Sequence, residues 1–172
     1  MTRRGNQRRL AAHLQEHAAA GVAGKHNAGA SRALAPWLWL LLALFCLRVA
    51  AQLLQWRFSL PYLPPFSAWH SGALPYGVLV TSQLLIIVMM VHVCYRFTLG
   101  GVVAKRKTGF MLLLIGGIYF LGMLGRLLLG LFILPGHAWF GQILPTLFHR
   151  LLALFVLLVG RFHFSPRQEP PY

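Results

Sequence analysis

Four long apolar runs, each near the length needed to cross a bilayer core, alternate along the chain with shorter stretches rich in proline, glycine or positive charge. The runs predict helices at about 35–56, 76–97, 109–134 and 143–162. Pro36 suits the first turn of the first helix, and Trp37, Trp39 and Trp56 mark its two boundaries. Residues 1–33 hold Arg3, Arg4, Arg8, Arg9, Lys25 and Arg32 among alanine, glycine and histidine, with no apolar face beyond Leu10 to Leu14. They are expected to form a disordered basic tail, and residues 164–172 a second, short one. The predicted class is an all-α membrane protein with a four-transmembrane-helix bundle at 34–163.

The links inside the first and second pairs of runs share one phrase. Pro65 to Pro75 reads PFSAWHSGALP and Pro135 to Pro145 reads PGHAWFGQILP, so both fit P-x-x-A-W-x-x-x-x-L-P at an offset of seventy residues. A repeat of this period with a turn between apolar segments predicts two copies of one helical hairpin. Proline sets such a turn, and tryptophan at a membrane boundary anchors the headgroup level.

Charge then orients the hairpins. The basic tail, the loop with Lys105, Arg106 and Lys107, and the C-terminal Arg161 and Arg167 fall on one side, whereas the two corners carry only Arg57. The positive-inside rule therefore puts both termini in the cytoplasm and both corners outside. The bundle is thus expected to consist of two parallel helical hairpins related by an axis along the membrane normal. The arginine- and alanine-rich composition suggests a GC-rich bacterium and its cytoplasmic (inner) membrane.

Composition narrows the function classes. With 58% hydrophobic and 10% charged residues among 172, the chain is far more apolar than a soluble domain of its size. Sixteen basic residues face two acids, Glu16 and Glu169, but they are dispersed among apolar runs and line no aqueous face, so no nucleic-acid partner is expected. Their placement suits topology and affinity for anionic lipid. Cys46 and Cys94 both fall inside apolar runs and read as small hydrophobes, not a disulfide.

Two arginines are the costliest residues in the spans. A guanidinium deep in hydrocarbon costs about 2.5–3.5 kcal/mol on insertion scales, and no carboxylate lies within any run to neutralise Arg48 or Arg126. On the third helix Tyr119, Gly122, Arg126 and Gly130 share a face, so the glycines should permit close helix approach beside Arg126. Arg48, Gln52 and Gln55 form one polar stripe on the first. The arginines either donate to carbonyls, Gln52, Gln55, Gln83 or Tyr119 and lock the bundle, or hold an anion that the chain does not supply. Lipid phosphate, a quinone oxygen, a haem propionate and a partner subunit's carboxylate all fit the second case. Trp69, His70, His137 and Trp139 would form an outward-facing rim over Arg57, His149 and Arg150, suited to a ring-bearing or anionic lipid-soluble ligand.

Histidines supply the other pattern. His149, Ala153, Val156, Gly160 and His163 make one stripe on the fourth helix, with His92 at nearly the depth of His163 and His70 or His137 near His149. Facing histidines of a bundle can ligate haem iron, with Gly160 leaving room for the macrocycle. The fourth-helix spacing resembles that of the membrane four-helix di-haem b cytochromes, on that helix alone, because His70 and His92 stand twenty-two residues apart. The resemblance implies a haem b electron carrier ligated by His92 with His163 and His149 with His70 or His137. Zinc is not indicated: His13 and His17 lack a third ligand. No nucleophile motif, phosphate loop or acid pair points to an enzyme. The leading expectation is an accessory or assembly subunit, or a lipid- or quinone-binding module, centred on Arg48 and Arg126 and able to join a larger membrane complex. The haem carrier and a small transporter acting as an oligomer are the alternatives.

Overall fold

The computed structural model describes residues 3–69, 75–133 and 143–165, and every regular element among them is helical. Helix α1 covers Arg3–Phe58, α2 Tyr76–Leu99, α3 Arg106–Leu128 and α4 Ile143–Phe164. A 3-10 turn, Phe66–Ala68, interrupts the link after α1, and a π-helical turn, Leu129–Ile133, prolongs α3. Four stretches, Asn27–Phe58, Tyr76–Leu99, Arg106–Ile133 and Leu144–Phe164, are long and apolar enough to cross a membrane, which makes this a multipass membrane protein.

The start of α1 departs from the sequence expectation. Instead of a disordered tail ending near residue 33, the helix begins at Arg3 and runs through Pro36. Its early part is rich in alanine and arginine, which lose little freedom in a helix, and its later part is held by packing. Ser31 and Ala35 are buried, and Arg32 Nη2 donates to the Leu99 carbonyl at 3.4 Å. Pro36 removes one helical donor, the partner of the Arg32 carbonyl, without ending the helix.

α1 packs against α2, α3 against α4, and α1 against α4, so the two hairpins meet through their first and last helices. Hydrogen bonds fix the antiparallel register of α1 on α2: Trp39 Nε1 donates to Thr98 Oγ1 at 3.0 Å near one end, and Gln83 Nε2 to Gln52 Oε1 at 3.4 Å toward the other. Leu38, Leu42 and Phe45 of α1, Cys94 and Phe97 of α2, and Phe155 and Phe162 of α4 form the apolar core. Phe97 meets Phe162 edge-on, with ring centroids 4.9 Å apart. Gly100 ends α2 in the left-handed region at φ 73°, closely packed on Ala28 and Arg32 of α1.

α3 joins by a different device. A Cβ at Gly109 would stand 2.7 Å from the His163 carbonyl carbon and against the Phe164 backbone nitrogen, and one at Gly160 would stand 3.0 Å from the Leu113 nitrogen. At Gly116 a Cβ would press on Val156 and Leu157 at 3.1–3.2 Å. Small residues let helix backbones close up where lipid gives no hydrophobic drive to association. The sequence pointed to the glycines beside Arg126 instead. Gly130 is buried, but Gly122 is exposed and a Cβ there meets nothing within 4 Å.

Gly109→Ala is therefore expected to destabilise the protein by about 1–3 kcal/mol, as overpacking against backbone does, and Gly122→Ala to stay within about 0.5 kcal/mol. Thermal unfolding of the two variants in the same detergent, followed by circular dichroism, measures the contrast.

Candidate functional site

Arg48, Gln52 and Gln55 recur at helical spacing on α1, and all three are buried, Arg48 to 7% and Gln52 to 1% exposure. A helix interior offers such groups no free carbonyl, because each already accepts from the turn above. The acceptor for Arg48 comes from the corner. Pro61, Pro64 and Pro65 turn the chain after α1, the 3-10 turn Phe66–Ala68 follows, and Trp69 folds inward to 5% exposure. The Trp69 indole Nε1 donates to the Pro64 carbonyl at 2.9 Å, and its own carbonyl accepts Arg48 Nη2 at 3.0 Å.

Phe148 of α4 completes this arrangement. The Arg48 guanidinium carbon lies 5.2 Å from the Phe148 ring centroid, and the Trp69 and Phe148 rings stack at 6.5 Å with an interplanar angle of 16°. Trp69 is thus buried against α4, with its indole satisfied inside the corner. Gln52 accepts from Gln83, and the Tyr76 ring packs on Trp56 and Phe66 with centroids at 5.3 and 5.1 Å.

The second hairpin supplies the facing groups. Arg126, 8% exposed, sits near the end of α3 just before the π-helical turn. Tyr119 hydrogen-bonds through its hydroxyl to His149 Nδ1 of α4 at 2.7 Å, and the two rings meet edge-on at 6.0 Å. His149 lies within electrostatic reach of both Arg48 and Arg126, and Arg126 also acts on Tyr119. Arg150 turns toward α3, its guanidinium carbon 5.7 Å from the Phe120 ring centroid. Arginines from both hairpins therefore act electrostatically on one histidine.

Several polar atoms here are buried without a partner among the described residues: Arg48 Nε and Arg150 Nε as donors, Gln55 Oε1 and Gln83 Oε1 as acceptors. Buried polar atoms in native proteins are nearly always satisfied, by protein groups or by ordered water. The chain's two carboxylate side chains, Glu16 and Glu169, belong by sequence to its terminal segments.

The histidine pattern fares differently. His70, His137 and Trp139 lie outside the described residues. His92 is exposed on α2, while His163 accepts the Lys105 backbone N–H at Nδ1, 3.2 Å away. No described hydrogen bond or ring contact joins His92 to His163, and among the described residues no three histidine, cysteine or acidic side chains cluster as metal ligands do. At Gly160 it is Leu112 and Leu113 of α3 that pack on the glycine face. The residue that the sequence did not single out is Phe148, which carries no signal of its own beyond standing next to His149.

Tyr119→Phe and His149→Ala are expected to be coupled by about 0.6 kcal/mol, with a ceiling near 1.7, the range of hydrogen bonds between membrane helices. A double-mutant cycle on unfolding free energy in mixed micelles measures that coupling. No family model, curated protein or solved structure matches the chain, so the geometry of its own residues is the basis for any functional reading.

Proposed function

We propose that this protein is a small accessory or assembly subunit of a membrane system that holds a lipid-soluble ligand bearing acceptor oxygens at the Arg48, Arg126 and His149 centre. The observation that carries the reading is Arg48: a guanidinium 7% exposed, with one hydrogen bond, to Trp69, and a buried Nε without a described partner. Electrostatic pairing inside a span is strong because little water competes, and guanidinium favours planar, oxygen-rich partners. Phe148 and Trp69 add aromatic faces beside the charge, and Gln55 and Gln83 add acceptors for a hydroxyl. A quinone carbonyl or quinol hydroxyl and an anionic lipid headgroup share this chemistry.

The haem reading gains no support from the filled face of Gly160, and no described contact favours a transporter. In the proposed orientation both termini and the 100–105 link face the cytoplasm, the corners face outward, and the hairpins are parallel repeats.

Wild-type protein extracted in mild detergent should carry a ligand that organic extraction and mass spectrometry assign to either a quinone or an acidic lipid. Arg126→Leu and Arg48→Met should each reduce its recovery by about tenfold, the effect of removing one charged hydrogen bond. Unchanged recovery in both variants would sink the proposal. For orientation, a membrane-impermeant maleimide should label Tyr62→Cys in intact cells, and Lys107→Cys only after the membrane is opened, both in a background lacking Cys46 and Cys94.

A further inference from the structure

At the other end of α4 the surface is shaped for a second molecule. Leu154, Leu158, Arg161 and Ser165 follow one another at helical spacing and form a ridge between two furrows. The furrow on the α1 side has a volume of about 650 Å³ and is walled by Ala30, Ala33, Leu34 and Trp37. The furrow on the α3 side has a volume of about 530 Å³ and is walled by Leu113, Leu157 and Phe164. All four ridge residues line both. This follows from the helix order, because α4 packs between α1 and α3.

Each furrow has a polar end and an apolar end. Arg161 and Ser165 stand at the helix terminus, joined on the α1 side by Asn27, while Leu154 and Trp37 lie at the far end. From Ser165 to Leu154 is about 16 Å along the helix, close to half of a hydrocarbon core of about 30 Å. Arg161 is exposed, and no described side chain or backbone group accepts from its guanidinium. The carbonyl end of α4 repels an anion, but Arg161 is supported by Arg106, whose guanidinium carbon lies 5.5 Å from the Phe164 ring centroid. No acidic side chain lines either furrow.

We infer that the α4 ridge is a binding site for one anionic diacyl phospholipid, with the phosphate on Arg161 and one acyl chain in each furrow. The charge selects an anionic headgroup, the depth selects a lipid of the leaflet at this end of the bundle, and the paired furrows select two chains over one. A free phosphate would leave both furrows uncovered. The site lies about 18 Å along α4 from His149, so it does not rest on the arginine centre.

The test is native mass spectrometry of the full chain in neutral detergent, titrated with phosphatidylglycerol, phosphatidylcholine and single-chain lysophosphatidylglycerol. One phosphatidylglycerol should bind per chain about tenfold more tightly than phosphatidylcholine, the scale of one charge-assisted contact. Arg161→Ala should abolish that preference, and Arg161→Lys should restore part of it. Ala33→Leu, at an exposed wall position of the α1-side furrow, should weaken phosphatidylglycerol while leaving the single-chain lipid unchanged. Ligand recovery at the Arg48 centre should be unaffected by either Arg161 variant. Equal affinity for the two diacyl lipids, wild-type retention in Arg161→Ala, or equal binding of single-chain lipid would each overturn the inference.

Discussion

A guanidinium about two-thirds of the way along a membrane-spanning helix must find acceptors that its own helix cannot give, and Arg48 finds them in the Trp69 carbonyl and the face of Phe148. That single requirement orders much of the end of the protein that holds the proline-rich corner. It draws the proline-rich corner inward, and it seats an aromatic stack against α4. It also sets the depth at which α1 crosses the second hairpin. The inward corner in turn brings Phe66 against Tyr76 at the start of α2.

The two halves of α4 are held by different physics. Its N-terminal half carries Phe148, His149 and Arg150 and meets its neighbours through ring faces, one hydrogen bond and charge. The other half meets α3 through Gly109, Gly116 and Gly160 at backbone distance. Close glycine packing tolerates little sliding, because any larger side chain would strike main-chain atoms. The polar layer is more permissive, because several of its buried atoms have no partner among the described residues. One half of α4 is thus held by backbone contact and the other by side-chain polarity.

The existence of four spans was legible in the sequence because some twenty apolar residues in a row have few alternatives to crossing a membrane. The extent of α1 was not, because alanine-rich basic segments read equally well as tails, and it took packing of Ser31 and Ala35 to show that the helix is engaged there. Arg48 and Arg126 stood out as costs, and so did the Arg48, Gln52, Gln55 stripe. Their acceptors were hidden, because the approach of Trp69 and Phe148 depends on contacts twenty-one and one hundred residues away. The glycine seam had a faint signal: Gly109 and Gly116 on α3, and Ala153 and Gly160 on α4, each repeat at seven residues. The glycines around Arg126 drew attention from it because they sat next to a charge.

Charge imbalance acts differently at different depths. Sixteen basic residues against two acids give +14, and wherever those residues reach water or headgroups, mobile ions and lipid phosphates compensate them at little cost. Arg161 at the end of α4 belongs to that class. Arg48 does not, because mobile ions do not follow a side chain into the hydrocarbon region, and cation–π and carbonyl contacts stabilise its charge without neutralising it. Among the described residues, the Trp69 carbonyl and the Phe148 ring that meet it are neutral, so its charge is carried into the span without a counter-charge.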